Sequence, residues 1–496
     1  MNKIGFDNLK YLTIQSEHIK QRIAQFGDKL YLEFGGKLFD DNHASRVLPG
    51  FQPDSKLRML MQLSEYAEIV MVISARDIEK NKIRGDLGIT YDMDVIRLRQ
   101  EFEDRGLLVS SVVITHYNGQ SSAEAFREKL RRLGIKSYCH HTIEGYPTNV
   151  ALIDSEDGFG KNDYVETTRP LVIVTAPGPG SGKMAVCLSQ LYHEHKRGIK
   201  AGYAKFETFP IWNLPLKHPV NLAYEAATAD LNDVNMIDPY HLEAYGKTTV
   251  NYNRDVEVFP VLNAMFEKIE GVSPYKSPTD MGVNMVGFCI EDDDVCKKAS
   301  HEEIIRRYFS TLCDKKMGQK NDLAIQKIES LMNQAGISVE NTRPIVKTAL
   351  LKSETTNGQP AVALELPDGR IVTGKTSDLL GASSAAILNA LKVLAGLNDN
   401  ELLIKREIIE PIQDLKTDFL GNRNPRLHTD EVLIALSMSA TTSENAKKAI
   451  AELKNLSGSE AHSTVILSQV DADIFRKLGV NLTCEPQYQS KKLYHK

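Results

Sequence analysis

The first half of the chain alternates short apolar runs with amphipathic segments of about ten to fifteen residues. Runs rich in β-branched residues at 68–74, 107–115 and 171–175 are typical of buried strands. Segments between such runs carry apolar residues at helical spacing, as at 91–103. Strands that alternate with helices indicate βαβ units and a parallel sheet covered on both faces. The pattern therefore predicts an α/β domain over 1–270, with a Rossmann-like or P-loop-like parallel sheet.

Three local predictions within this domain rest on short patterns. A helix is predicted at 16–26 with Ser16 as its amino-terminal cap, and a short strand is predicted at 149–154. The stretch from 38 to 53 is rich in Asp, Asn, His and Arg and follows neither period, so it is predicted to be irregular.

The pattern changes after residue 270. Strand signals are sparse in 271–335, where charged amphipathic stretches predict a helical segment. Farther on, the segments 361–366 and 370–373 flank Pro-Asp-Gly at 367–369, which is a hairpin signal, and a small-residue helix is predicted at 382–394. Strand and helix patterns then alternate to the end, so 336–496 is predicted to form a second α/β domain.

A glycine-rich loop follows the strand at 171–175 and precedes a helix that is predicted to end at Gly198. The loop runs Ala-Pro-Gly-Pro-Gly-Ser-Gly from residue 176, and a lysine comes next. Glycines at a helix start leave backbone N–H groups open, and these groups, the helix dipole and a lysine together favour an anion. The predicted phosphate-binding residues are Gly178, Gly180, Ser181, Gly182 and Lys183.

Three interpretations of this loop stay open. The nucleotide-binding P-loop has the pattern GxxxxGK[ST], but Pro177 replaces its first glycine and Met184 its magnesium-binding hydroxyl. Binding of phosphate or another anion is therefore favoured over magnesium-dependent nucleotide hydrolysis. In such a hydrolase, Asp238 after the apolar run at 234–237 would be the metal ligand; otherwise it caps a helix. The third interpretation is a tight turn that needs glycine only for close packing.

Polar side chains are also predicted where other strands of the sheet end. In parallel sheets, ligands bind in the crevice outside the carboxyl ends of the strands. Taken singly, such residues are typical of solvated loops, but several of them at one edge of a sheet indicate a shared crevice. The candidate ligand contacts are Arg76, Asp77, His116, Asn118 and Thr175.

Length and composition narrow the class of protein. The chain has 496 residues, of which 42% are hydrophobic and 25% charged, which is ordinary for a globular protein of two or three domains. A net charge of −5 argues against general binding of nucleic acid or of a membrane surface. The six cysteines form no C-x-x-C pair, and the sequence has neither an apolar run of about 18 residues nor a signal-peptide core. We therefore expect a cytoplasmic protein with reduced thiols and no zinc.

The start of the second domain resembles that of cytidine-deaminase-like domains. The resemblance lies in the hairpin at 361–373 and in the small-residue helix that follows it. Domains of that kind place zinc ligands and a general-acid glutamate at the start of this helix. Here the helix begins Gly-Ala-Ser-Ser-Ala from residue 381, and no P-C-x-x-C is present. The resemblance therefore implies the shape of such a domain without its zinc chemistry.

Four stretches make the chain resemble a bacterial family of uncharacterised proteins. They are KLYLEFGGK at 29–37, TAPGPGSGK at 175–183, FETFPIWNL at 206–214 and SPTDMGVN at 277–284. The resemblance covers essentially the full length. It implies a cytoplasmic bacterial protein of several subdomains, and it supplies no activity or catalytic residue.

These observations lead to two classes of function. The first is a protein that binds a phosphate-bearing small molecule or a nucleotide at 178–183, including a phosphate-dependent enzyme. The second is a non-catalytic metabolite-binding or assembly protein. A homo-oligomer built partly from 271–335 is expected, and no metal, nucleic-acid or membrane partner is predicted. An enzyme needs an acid, a base or a metal beside the loop, whereas a binding protein does not.

Overall fold

The computed structural model of the chain describes residues 3–27, 29–36, 38–39, 41–84, 88–231, 233–319 and 321–489. Lys37 of the KLYLEFGGK stretch and Asp40 of the predicted irregular stretch lie outside these ranges. Two compact units are present. The first comprises residues 4–225 and 233–297, and the second comprises mainly 298–496 together with 226–232. The domain boundaries predicted at 270 and 335 stay a prediction.

The first unit contains the elements from β1 to β10 and from α1 to α12. Its strands are β1 (Leu30–Phe34), β2 (Ala67–Ser74), β3 (Ile83–Arg84), β4 (Ile89–Thr90), β5 (Leu108–Tyr117), β6 (Lys136–His141), β7 (Leu171–Thr175), β8 (Gly202–Phe206), β9 (Asn235–Ile237) and β10 (Val250–Tyr252). Its helices are α1 (Asn8–Gln25), α2 (Asn42–Val47), α3 (Ser55–Gln62), α4 (Ala75–Glu79), α5 (Tyr91–Glu103), α6 (Ser121–Arg132), α7 (Val150–Ile153), α8 (Lys183–Lys196), α9 (Pro219–Ala227), α10 (Pro239–Tyr245), α11 (Asn253–Glu270) and α12 (Pro278–Met281). Short 3₁₀ turns occur at Phe159–Lys161 and Val286–Cys289.

Six strands form one parallel sheet in the order β6-β5-β2-β7-β1-β8. All five residues of β7 are buried, which explains why its sequence is a continuous apolar run rather than an alternating one. The predicted parallel α/β sheet is therefore confirmed, with the strand before the glycine-rich loop near its centre.

The chain leaves β2 and β7 in opposite directions along the sheet. From β2 it continues to β5 on one side, and from β7 it continues to β8 on the other. Such a divergence between neighbouring parallel strands opens a crevice at their carboxyl ends, where ligands of α/β proteins bind. The loop at 176–182 leaves the sheet at this point.

Strands β1 and β8 present two different faces. Phe34 and Phe206 stack on one face with ring centroids 4.4 Å apart. On the opposite face, the hydroxyl of Tyr31 donates to Glu194 of α8 over 2.7 Å. Because Glu33 shares the parity of Tyr31, it also lies on the face that α8 covers. Charged side chains are thus enclosed between the sheet and α8.

The helix predicted at 16–26 is present as the second half of α1, but its predicted start is wrong. The other two local predictions are wrong as well, and in all three cases a short polar side chain caps a helix start that the apolar pattern did not reveal. Asp7, not Ser16, caps α1 by accepting from the N–H groups of Leu9 and Lys10, both over 3.0 Å. Residues 150–153 form helix α7, capped by Asn149, instead of a strand. The stretch predicted to be irregular contains α2, which Asp41 caps.

The second unit is also built of helices and strands. Its strands are β11 (Ala361–Glu365), β12 (Ile371–Lys375), β13 (Glu460–Ser463) and β14 (Asn481–Cys484). Its helices are α13 (Asp293–Lys316), which begins in the first unit, α14 (Asp322–Ala335), α15 (Val339–Thr342), α16 (Ile345–Glu354), α17 (Ala382–Leu394), α18 (Arg406–Asp414), α19 (Thr429–Ser439), α20 (Glu444–Ala451) and α21 (Gln469–Lys477). A π-helical turn at Leu415–Phe419 and 3₁₀ turns at Ala229–Leu231 and Leu453–Leu456 complete it.

The four strands of this unit form a mixed sheet in the order β12-β11-β13-β14. The predicted hairpin is confirmed as the antiparallel pair β11 and β12, and only β13 and β14 are parallel. Helix α17 begins and ends where the sequence predicted, and it buries Ile387 and Leu391 in the core together with Val362 and Leu364 of β11.

Candidate functional site

The glycine-rich loop ends in an open helix start. Gly180 and Gly182 have φ angles of 71° and 88°, which favour glycine, and Gly182 is the residue before α8. No side chain caps this helix. None of the backbone N–H groups from Gly180 to Lys183 donates a hydrogen bond to another described residue. The loop therefore presents consecutive free donors at the positive end of a helix dipole.

A hydrogen-bond chain fixes this loop to the neighbouring strands. The hydroxyl of Thr115 at the end of β5 donates to the Ser181 carbonyl over 2.5 Å. The same hydroxyl lies 3.3 Å from Nδ1 of His116, and the Ser74 hydroxyl at the end of β2 lies 3.2 Å from that nitrogen. The structure thus brings His116 and the predicted loop together through Thr115.

His116 itself has an unusual backbone. Its φ angle is 51°, in the left-handed region, and the register between β5 and β6 shifts beside it. Burial lowers the pKa of His116 below its usual value, and the nearby guanidinium of Arg76 lowers it further. The neutral imidazole of His116 is therefore favoured at pH 7, with Nδ1 held by the Ser74 and Thr115 hydroxyls.

The other candidate contacts are placed differently. Arg76 is exposed, whereas Asp77 is half-buried and lies 3.4 Å from the ammonium of Lys82. Asn118 is exposed and its amide points to the Thr142 hydroxyl over 3.4 Å, so it does not join the hydrogen-bond chain at the loop. Thr175 is buried at the end of β7.

Gly178 and Ser181 of the loop have contrasting surroundings: the first is packed against a tyrosine, and the hydroxyl of the second has no hydrogen-bond partner among the described residues. A Cβ at Gly178 would lie 2.4 to 2.6 Å from the ring and hydroxyl of Tyr91, so glycine is required there for packing. Ser181 is 3% exposed, and its hydroxyl makes no hydrogen bond with the described residues. Buried hydroxyls are normally paired, so the Ser181 side chain is a donor and acceptor in need of a partner.

The sequence did not reveal a charged cluster around β8, which we call the β8 charge cluster and which comprises Glu33, Lys205, Glu207 and Asp255. The Lys205 ammonium lies 2.6 Å from Asp255 Oδ2 and 3.3 Å from Glu207 Oε1. Tyr203 donates to Glu33 over 2.7 Å. The one signal in the sequence is a charged residue inside each of two otherwise apolar strands.

Burial and charge act against each other in the β8 charge cluster. Burial lowers the pKa of Lys205, but the carboxylates of Asp255 and Glu207 outweigh this effect and hold it above its usual range. Burial raises the pKa of the Glu207 carboxyl to about 7, against the opposing effect of Lys205. Burial thus shifts the pKa of Glu207 toward the range in which a carboxyl group is suited to act as a general acid or base.

Cys187 on α8 connects the cluster to Lys183. Burial raises the pKa of the Cys187 thiol well above its usual value, Glu33 raises it further, and Lys183 lowers it. Lys183 and Cys187 are four residues apart and lie on one face of α8. This face covers β1, β7 and β8. Lys183 therefore stands on the side of the helix that meets the β8 charge cluster.

Comparison with models of protein families assigns this chain to a family. Residues 4–336 match the model described as "Domain of unknown function DUF1846, N-terminal", and residues 341–494 match its C-terminal counterpart. The chain belongs to the DUF1846 family. The family resemblance found in the sequence is confirmed, and the description of the family states no activity.

Relatives of this DUF1846 protein match it from end to end. The UPF0371 protein stu1377 of Streptococcus thermophilus is 58% identical over 496 residues, with 100% of both chains covered. The UPF0371 protein SpyM50764 of Streptococcus pyogenes shows the same identity and coverage. Neither name states a ligand or a reaction.

Asp238 in this DUF1846 protein is a helix cap. Its Oδ1 accepts from the N–H of His241 over 3.0 Å, and its Oδ2 accepts from the N–H and hydroxyl of Thr279 over 3.1 and 2.6 Å. Strand β9 before it pairs only with β10 among the described residues and does not join the six-stranded sheet. Both carboxylate oxygens hold α10 and α12 in place, as the capping interpretation predicts.

Three further features of the DUF1846 chain concern metal-binding side chains, cysteines and membrane-spanning helices. In the described ranges, no set of three or more His, Cys, Asp or Glu side chains is grouped to hold a metal ion. All six cysteines are free thiols. No described helix is both long and apolar enough to cross a membrane.

Proposed function

We propose that the first unit binds a phosphate-bearing small molecule or nucleotide at 178–183. The observation that carries this proposal is the run of free backbone N–H groups from Gly180 to Lys183 at the start of α8. A phosphate group placed there accepts these donors, meets the positive end of the helix dipole and is neutralised by Lys183. The unpaired hydroxyl of Ser181 supplies a further donor to the same ligand or to a water bound with it.

The order of strand, loop and helix supports a P-loop-like mode of binding without its metal chemistry. In a P-loop, the residue after the lysine carries a hydroxyl that binds Mg²⁺. Met184 occupies that position, and both oxygens of Asp238 are occupied in capping contacts. Ligand binding at this loop is therefore expected to be independent of Mg²⁺.

The β8 charge cluster supports the more specific proposal that the protein is a phosphate-dependent enzyme. Burial raises the pKa of Glu207 toward neutral pH, and the Lys205 ammonium lies 3.3 Å from its Oε1. A carboxyl group with such a pKa is suited to general acid–base catalysis. Glu33, on the face of β1 beneath α8, places this chemistry next to the helix that carries Lys183.

Calorimetric titration of the full-length protein with inorganic phosphate, ribose 5-phosphate, AMP and ATP tests the proposal. At least one phosphate compound should bind with one site per chain, and its affinity should not change when Mg²⁺ is replaced by EDTA. Phosphate release from ATP should be negligible with or without the metal. Failure of every phosphate compound to bind would refute the proposal, and turnover that requires Mg²⁺ would restore the nucleotide-hydrolase interpretation.

The alternative is a non-catalytic metabolite-binding or assembly protein. Exposed apolar side chains in 271–335 favour self-association: Val272 is 71% exposed, and Leu323 is 76% exposed. We expect a homo-oligomer by multi-angle light scattering at micromolar concentration, and Leu323→Glu should shift it toward the monomer. Lys315→Glu, a change of charge at a half-exposed position of the same segment, serves as the control. A wild-type protein with the mass of one chain would contradict the expectation.

A further inference from the structure

The second unit contains a cavity that the proposed function does not use. Its volume is about 410 Å³, within the range of small-molecule sites. Three segments meet around it: the first turn of α17, the segment at 424–428 before α19, and the segment at 465–471 that leads into α21. We call it the α17 cavity.

The first turn of α17 opens on this cavity without a cap. Gly381 precedes the helix and offers no side chain to the N–H groups of Ala382, Ser383 and Ser384. Ser383 lines the cavity, is 2% exposed, and makes no hydrogen bond through its hydroxyl with the described residues. The 13-residue helix thus directs its positive end and one hydroxyl without a protein partner among the described residues at the same space.

Two hydrogen bonds hold the opposite wall against this helix start. The Leu427 carbonyl accepts from the hydroxyl of Ser384 over 2.9 Å and from the N–H of Gly381 over 3.2 Å. The residues on either side of Leu427 are Arg426 and His428, and both line the cavity. The backbone contact therefore fixes two basic side chains beside the open turn of α17.

Asp471 orients His428 and leaves one ring nitrogen available. The Nδ1 of His428 donates to Asp471 Oδ2 over 3.0 Å. The carboxylate also accepts from the hydroxyl of Ser468 over 2.7 Å and from the N–H and hydroxyl of Thr429 over 2.8 and 2.7 Å. Asp471 is therefore fully occupied by the protein. The Nε2 of His428 has no hydrogen-bond partner among the described residues, so it remains for a ligand.

The charge and polarity of the lining residues indicate which kind of ligand the α17 cavity can bind. Asp471 is the only acidic side chain among the described lining residues, and His428 offsets it, which leaves the guanidinium of Arg426 as surplus positive charge. Arg426 donates through Nε to the Ser377 carbonyl over 2.6 Å and keeps its terminal N–H groups for other acceptors. Val465, Ile466 and Leu467 form an apolar wall. The cavity therefore complements a ligand that carries an anionic group at one end and an apolar group at the other.

We propose that the α17 cavity binds a small organic oxyanion, with its carboxylate or phosphate at the first turn of α17 between Ser383, Arg426 and His428. This site is separate from the phosphate loop and does not depend on it. The hydrogen bond to Asp471 raises the pKa of His428 above its usual value. Burial and the charge of Lys416 oppose this shift, and the charges of Asp471 and Glu431 support it, so the net effect favours the imidazolium. The affinity for an oxyanion should fall as the pH rises through the pKa of His428.

The test uses the full-length protein with Lys183→Ala, so that the phosphate loop does not contribute. Inorganic phosphate, phenyl phosphate and benzoate are titrated by calorimetry, with benzamide as the uncharged isostere of benzoate. Phenyl phosphate or benzoate should bind at one site per chain, and benzamide should bind at least roughly 10-fold more weakly. His428→Gln and Arg426→Gln should each weaken binding about 10-fold, and Ser383→Ala should weaken it by a smaller factor. His428→Gln should also abolish the pH dependence of benzoate binding, because benzoate stays ionised throughout this pH range.

Lys447→Gln is the matched control, because this exposed lysine of α20 does not line the cavity. It should bind the probes as the parent does. Circular dichroism identifies any variant that fails to fold, and the small Ser383→Ala change keeps the test decisive in that case. The proposal is overturned if no oxyanion binds at millimolar concentration, if benzamide binds as well as benzoate, or if every folded variant binds equally.

Discussion

Replacing Lys183 with alanine is expected to weaken binding of a phosphate compound by roughly 10- to 100-fold, which is the effect of losing one charge-assisted hydrogen bond. The loss should be confined to the ligand. Lys183 is partly exposed at the first position of α8 and forms no ion pair with the described residues, so the folded protein loses little when its ammonium is removed. The thermal unfolding temperature without ligand should therefore stay close to that of the wild type.

Lys196→Ala is the matched control for this experiment. Lys196 lies in the last turn of the same helix, is 44% exposed and forms an ion pair with the exposed Glu156, and its ammonium lies over the ring of Tyr192. Its removal changes the net charge by the same amount and leaves the loop intact. Equal losses of affinity in both variants would show a general effect of charge and would count against a site at 178–183. An unchanged affinity in Lys183→Ala would place the ligand elsewhere.

Replacing Arg343 with methionine is expected to destabilise the second unit by about 3 kcal/mol or more. Arg343 is 2% exposed and donates to the Ala461 carbonyl over 2.9 Å, to the Asn481 carbonyl over 3.0 Å and to the Thr483 hydroxyl over 3.1 Å. It also pairs with Glu460. These bonds join β13 to β14, and the variant removes all of them together with the ion pair to Glu460 in a buried environment.

Two probes of urea unfolding measure this effect separately in the two units. Far-UV circular dichroism reports on both units, whereas the single tryptophan, Trp212, belongs to the first. The midpoint seen by dichroism should fall, and the fluorescence midpoint of Trp212 should move less. Arg476→Met, at a position that is 60% exposed, should change neither midpoint appreciably. A loss below about 1 kcal/mol in Arg343→Met would mean that its bonds contribute little beyond those of a surface pair.

Much of the secondary structure follows from local pattern. The buried run of β7 and the small-residue helix α17 were predicted from apolar spacing and lie where expected. The errors occurred where one polar side chain decides a helix start, as Asp7 does for α1. A cap depends on a single hydrogen bond, and many Asp, Asn and Ser residues in the sequence are equally able to form one.

Strand order was decided only by the tertiary structure. Strand β1 lies between β7 and β8, although both follow it far along the chain. No local pattern contains that pairing, because it arises when apolar faces formed by distant segments are buried together. The same arrangement brings Thr115 of β5 to the carbonyl of Ser181, and it sets Glu33 beside Lys205.

The amino-acid sequence by itself determined the α/β class, the position of the glycine-rich loop and the lack of a hydroxyl after Lys183. These are properties of single segments, set by periodicity and by which residue stands at which position. Only the tertiary structure decided that Asp238 holds α12 as well as capping α10, that Lys205 pairs with Asp255 and that His428 faces the first turn of α17. Each of these depends on burial and on a partner distant in the chain, which give a side chain its hydrogen bonds and its pKa.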